Sequence, residues 1–201
     1  MVKKLKHQLK SAEADVSVMK TGHLNQRKDS LRRRIKITDR HNSMRGWFAW
    51  ELHSSMSSNP KIWVVTGDLG YGMLDRIRDD FPERFINVGA AEQSMVGIGI
   101  GLALEGKIPF VYSITPFLIY RPFETIRNYI NREQIPVKLI GSGRDKDYLH
   151  DGFSHWAEED RQVMKIFPNI KSFWPKTKEE IPKLLPEILS NKEPVYLNLS
   201  R

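Results

Sequence analysis

Residues 84–104, RFINVGAAEQSMVGIGIGLAL, decide the fold. The stretch opens as a short strand, turns at Gly89, and then sets one acid, Glu92, at the mouth of a Gly- and Ala-rich apolar helix. A buried strand that feeds a helix through a Gly turn is the repeating unit of parallel α/β sheets. The closely spaced Gly97, Gly99 and Gly101 are expected to let this helix approach another backbone tightly, because they carry no Cβ. Upstream, IWVVTGDLGYG (62–72) reads as a strand of apolar and β-branched residues ended by a Gly-rich turn that carries Asp68 and Leu69. Downstream, IPFVYSI (108–114) gives a third strand.

The same alternation runs along the chain. Strands are expected at about 62–66, 85–88, 108–113, 137–141, 170–173 and 195–199, and helices at about 44–57, 91–105, 122–132, 157–166 and 178–190. Such a pattern predicts an α/β three-layer sandwich with a mainly parallel sheet. Thr177 followed by Glu180 has the spacing of a capping box and marks a helix start. No internal repeat is present, and the expected boundary lies near residue 42: an arm over 1–42, helical or disordered, and one domain over 43–201.

Charge separates those two parts. Residues 1–46 hold 13 Lys and Arg against 4 Asp and Glu, a net +9, and the remaining residues hold 19 against 20, a net −1. The basicity belongs to the arm, where RKDSLRRRIKITDR (27–40) is densely cationic. Such a run can meet nucleic acid, anionic lipid or an acidic partner face, and a solvated extension is the plainer reading. The 201 residues suffice for one core of moderate size. No apolar run approaches the roughly 20 residues that a membrane span requires, so no membrane partner is expected. The absence of Cys excludes disulfides and thiolate chemistry. With a basic N-terminus that lacks an apolar segment, no secretory leader and a cytoplasmic location are expected.

The motifs then occur in a telling order: GDLG, RFINVGAAEQ, IPFVYSITPFLIYRPFETIRN, DGFSH, PN and LSR. From about Met44 onward the chain closely resembles the pyrimidine-binding domain of the transketolase family, whose fold is the thiamine diphosphate-binding fold. Each motif is short, and the resemblance rests on their order. It implies that Glu92 hydrogen-bonds the ring nitrogen of the cofactor's aminopyrimidine and so promotes loss of the thiazolium C2 proton. That work calls for a dry site and a raised carboxyl pKa, which burial beside an apolar helix would supply. The plain alternative is a helix N-terminal acid favoured by the macrodipole.

The resemblance assigns further roles by position. Asp68, Leu69, Ile114, Phe117 and Tyr120 would line or stack on the pyrimidine, with Ile114 standing where many transketolases have another aromatic. DGFSH looks like the family's DGPTH, so Asp151 and His155 would contact sugar hydroxyls and the reacting carbonyl, His155 as a catalytic group; Phe153 replaces the family's Pro. Arg201 matches the LSR arginine that grips a substrate phosphate, a task suited to the paired donors of a guanidinium. No metal site is expected in this chain: one might be sought at His150, Asp151 and His155, yet two His flanking a Gly-containing loop make a poor ligand geometry.

The family's diphosphate half, marked by GDG and a later Asn that hold Mg²⁺, does not occur in these residues. The resemblance therefore implies a split enzyme. A partner subunit would supply the diphosphate site and Mg²⁺, the assembly would be α₂β₂, and a two-carbon ketol unit would pass between sugars or sugar phosphates. Alternatives are a deoxyxylulose-phosphate synthase-like or 2-oxoacid dehydrogenase β-like subunit and, in another class, a non-catalytic protein that binds nucleic acid or a partner through its arm.

Overall fold

The computed structural model describes residues 40–201. The basic arm expected over 1–42 lies, up to residue 39, outside them. Six strands form one sheet: β1 (Ile62–Thr66), β2 (Phe85–Asn87), β3 (Ile108–Ile114), β4 (Lys138–Ser142), β5 (Lys171–Phe173) and β6 (Val195–Leu199). Their order is β2-β1-β3-β4-β6-β5, and every neighbouring pair is parallel. The α/β sandwich expected from the alternation is therefore present, with a sheet that is wholly parallel among the described residues.

Parallel strands need helices on both faces, and successive strand residues divide between the two. Val64, Phe110, Tyr112, Ile140 and Leu197 join Phe48, Leu52 and Met56 of α1 (Met44–Ser58), Ile77 of α2 (Asp75–Asp80), and Ile181, Leu185 and Ile188 of α7 (Ile181–Ser190). Val65, Val111, Leu139 and Tyr196 join the opposite layer with Met95, Val96 and Ile100 of α3 (Glu92–Leu104) and Leu118 and Ile119 of α4 (Thr115–Tyr120). Ile126 and Ile130 complete that layer from a π-helix, Ile126–Arg132, that continues α5 (Phe123–Thr125); Met164 comes from α6 (Asp160–Met164). In each pair of adjacent strand residues one points up and the other down, so the two cores share one sheet.

Local signals explain most ends. Ser43 caps α1 by accepting from the Gly46 N–H at 3.1 Å. The Glu180 carboxylate accepts from the backbone N–H of Thr177 at 2.9 Å and of Lys176 at 2.8 Å, the back-reaching half of the expected capping box. Between α7 and β6 the turn is closed by Lys138, whose Nζ donates to the carbonyls of Asn191 and Glu193, both at 2.7 Å. Burial pushes this amine down from 10.5 to about 8.

Two helices were not expected. α2 has one apolar anchor, Ile77, in the run DRIRDD, so it shows no hydrophobic period. α4 starts directly from β3 and is apolar nearly all round, with Pro116 in its first turn, where a missing N–H costs nothing. The glycines of α3 also need correction. A Cβ on Gly99 would lie 2.5 Å from Val111 Cγ2, so this glycine does allow α3 to press on β3. Gly97 and Gly101 have nothing within 4 Å of a built Cβ. At 3.6 residues per turn, positions two apart fall on nearly opposite faces, and only one of the two sets can meet the sheet.

Candidate active site

Because all six strands run the same way, their carboxyl ends lie on one edge, and the loops there collect the chemistry-bearing residues. The chain moves from β1 outward to β2 and then returns past β1 to β3, so the topological switch point lies between β1 and β3. Open α/β sheets bind ligands in that crevice. Glu92 is the first residue of α3 and enters from the loop after β2; its side chain is only 4% exposed. Its Oε1 lies 3.9 Å from where a Cβ on Gly67, at the end of β1, would be. Among the described residues the carboxylate takes one side-chain hydrogen bond, from Arg121 Nη1 at 2.8 Å, just past α4.

From Arg121 a line of contacts crosses the edge of the sheet. The Arg121 guanidinium carbon sits 3.9 Å from the centroid of the Phe117 ring. Phe117 meets the His155 imidazole edge to face, with centroids 4.8 Å apart. The His155 and Tyr148 rings lie 6.3 Å apart, and the Arg201 guanidinium carbon is 4.9 Å from the Tyr148 ring centroid. Glu92, Phe117, His155 and Arg201, singled out far apart in sequence, are thus brought into one array. Phe153, beside His155, is 83% exposed.

The other expected residues surround this array. Asp68 sits at φ 59, a left-handed backbone that Asp tolerates better than most residues, and its N–H donates to Asn87 Oδ1 at 2.8 Å. The Tyr71 hydroxyl donates to the Asp68 carboxylate and, followed by the Asn87 amide, holds it below the usual carboxylate range. The Leu69 carbonyl accepts from the Thr66 hydroxyl at 3.2 Å, and its side chain packs on the α1-side core. Ile114 is buried at the end of β3. Tyr120 is partly exposed, at 36%; loss of water, with the Glu159 charge second, pushes its phenol up to about 12. Asp151 ends a one-turn helix, Leu149–Asp151, and is exposed. Among the described residues no group of three or more His, Asp or Glu side chains is arranged to hold a metal ion.

Sequence reasoning missed three participants. Arg121 directly follows Tyr120 in YRPF, and no charge pattern singles it out. Tyr148 packs where a Cβ on Gly143 would stand, 2.3 Å away, at φ 86; only glycine allows that approach. Arg45, on the first turn of α1, donates from Nη1 to Tyr148 Oη at 3.1 Å and Ser142 Oγ at 3.3 Å and so braces the loop after β4.

A second buried acid lies on the same side of the sheet. Asp160, the first residue of α6, is 2% exposed, and its Oδ2 accepts from Trp174 Nε1 at 2.7 Å, Tyr196 Oη at 2.9 Å and Asn198 Nδ2 at 2.9 Å. Asn198 Nδ2 also reaches Thr115 Oγ1 at 3.1 Å, and Thr115 donates to the Gly143 carbonyl at 2.7 Å. This network ties the starts of α4 and of the loop after β4, the two segments that carry Phe117 and His155.

Comparison with known proteins adds identity to this geometry. The family model described as "Transketolase, pyrimidine binding domain" matches residues 41–201. A putative transketolase C-terminal section from Methanocaldococcus jannaschii is 31% identical over 168 residues, covering 83% of this chain and 53% of that protein. A 6-deoxy-6-sulfo-D-fructose transketolase subunit from a Clostridium species is 32% identical over 142 residues, covering 70% of this chain and 44% of the relative. The chain thus spans about half the length of the curated relatives it matches. Among solved structures, a split gene transketolase described as an inactive beta4 tetramer superposes with a TM-score of 0.70 at 32% identity, over 79% of this chain and 51% of that one.

Proposed function

The chain belongs to the transketolase pyrimidine-binding family, and from that premise we propose that it is the pyrimidine-binding subunit of a split, transketolase-like enzyme that transfers a two-carbon ketol unit between sugars or sugar phosphates. The observation that carries the reading is the array from Glu92 to Arg201 across the switch point of the sheet. The names of relatives support the split: one is a C-terminal section, one a subunit, and one a split gene product.

The residues present fit thiamine diphosphate. Glu92 offers a carboxylate, nearly excluded from water, to a nitrogen ring, and Phe117 offers an aromatic face beside it. When bound, the cofactor supplies the acidic C2 carbon and the electron sink that ketol transfer needs. Glu92 would hold the ring nitrogen and its proton. Asp68, Leu69, Ile114 and Tyr120 would shape the pocket for the ring. His155, held edge-on against Phe117, would take and return protons at the substrate's oxygens, and Asp151 would bind hydroxyls. Arg201, placed over Tyr148, would hold a phosphate or another anionic end of the sugar through paired donors. The diphosphate and its Mg²⁺ would sit on the partner subunit, within an α₂β₂ assembly.

The test is to purify the tagged chain from its native cells and identify co-purifying proteins by mass spectrometry. A stoichiometric partner that contains GDG and a downstream Asn, and that restores thiamine-dependent ketol transfer when mixed with this chain, is the expected result. Recovery of nucleic acid, or of no such partner, would favour a non-catalytic binding protein instead.

A further inference from the structure

We propose that Arg121 is an internal stand-in for the pyrimidine ring, closing the cofactor site of this chain until an incoming ring displaces it. The inference rests on the reading of Glu92 and Phe117 given above and adds a regulatory device to it. An aminopyrimidine bound there would need two things: a flat partner for its face and a carboxylate to accept from its ring nitrogen, which takes up one proton from solvent on binding and so becomes a donor. The Arg121 guanidinium is itself a flat cation with N–H donors. It already stacks 3.9 Å over Phe117 while donating from Nη1 to Glu92 Oε1 at 2.8 Å. One side chain thus meets both demands at once.

Burial explains why something must fill this role. An unpaired carboxylate at 4% exposure is costly, so Glu92 requires a donor in every state. Arg121 can give up the post cheaply, because its side chain is 47% exposed and returns to water when it swings out. Glu92 has no such escape. The exchange is therefore selective: only a flat molecule that brings its own donor to Glu92 can take Arg121's place without stranding the buried acid. No other cation among the described residues is paired with Glu92.

Titration calorimetry of the full chain with 4-amino-5-hydroxymethyl-2-methylpyrimidine, the pyrimidine fragment alone, tests this directly. Arg121→Ala is expected to bind the probe about tenfold more tightly than the unmodified chain, a difference of about 1.4 kcal/mol. Adding Glu92→Gln to Arg121→Ala should cancel the gain. Arg121→Gln, which keeps a neutral donor within reach of Glu92, is the second variant should the alanine variant unfold; a gain of about threefold, or about 0.6 kcal/mol, is expected of it. Equal or weaker binding in the Arg121 variants, including no measurable binding in any of them, would overturn the stand-in. A gain that survives Glu92→Gln would overturn it as well. The catalytic reading of Glu92 stands or falls separately, on exchange of the cofactor's C2 proton in the assembled enzyme.

Discussion

Two buried carboxylates sit at the first residue of a helix on the same side of the sheet, and they are held in opposite ways. Asp160 is fixed by three neutral donors, Trp174, Tyr196 and Asn198, from two neighbouring segments. Glu92 is matched by one cation on a half-exposed side chain. The first arrangement offers no easy exchange, since Tyr196 and Asn198 are fully buried and Trp174 packs against the core. The second needs only a rotation of Arg121 into water. A carboxylate meant to hold the fold together and one meant to receive a ligand are thus distinguished by the mobility of their partners, while their burial is nearly the same.

This contrast can be broken most severely by removing the acids. Asp160→Ala removes the acceptor that Trp174, Tyr196 and Asn198 share and should cost about 3 kcal/mol of stability, read from urea unfolding. Glu92→Gln keeps shape and a polar end facing Arg121, and should change stability by less than about 1 kcal/mol. Equal losses in the two variants would erase the distinction.

A smaller effect is expected from the helix that carries Glu92. Gly99→Ala drives a Cβ against Val111 and should cost about 2 kcal/mol by overpacking. Gly97→Ala, two residues away with open space around it, should raise stability by about 0.5–1 kcal/mol through helix propensity. Thermal melts of both variants read the pair; a stabilising Gly99→Ala would show that α3 is not clamped to β3.

The smallest effect concerns a third buried charge, Lys138. Its amine is held near 8 in the folded chain against 10.5 when exposed, so between those values the native state binds fewer protons than the unfolded one. Stability should therefore rise as pH increases from 8 to 10, by about 1 kcal/mol at most once partial hydration is allowed for. Lys138→Met should flatten that rise. A rise of the same size in the variant would place its source elsewhere.

The fold was legible wherever a strand is buried along nearly its whole length. Strands β1, β3 and β6 are mostly apolar runs bounded by turns, and β4, KLIGS, was legible through the apolar Val137, Leu139 and Ile140 around its lysine. α2 was invisible because one anchor, Ile77, makes no pattern, and α4 because an apolar segment continuing from a strand carries no mark of where the strand stops. At the site, Glu92, Phe117, His155 and Arg201 could be named because each stands in a recognisable motif. Their mutual contacts could not, since Glu92 and Arg121 meet across 29 residues and Thr115 and Asn198 across 83. Arg121 and Asp160 were missed for one reason: a charged residue among many shows its role only when its partners and its burial are known.

The measurement that tests the central claim most directly is exchange of the C2 proton of thiamine diphosphate for deuterium in the enzyme assembled with its diphosphate-binding partner, comparing the unmodified chain with Glu92→Gln. A fall of about 10²–10⁴-fold with assembly intact is expected if Glu92 governs proton loss from the cofactor. Exchange at the unmodified rate would contradict it.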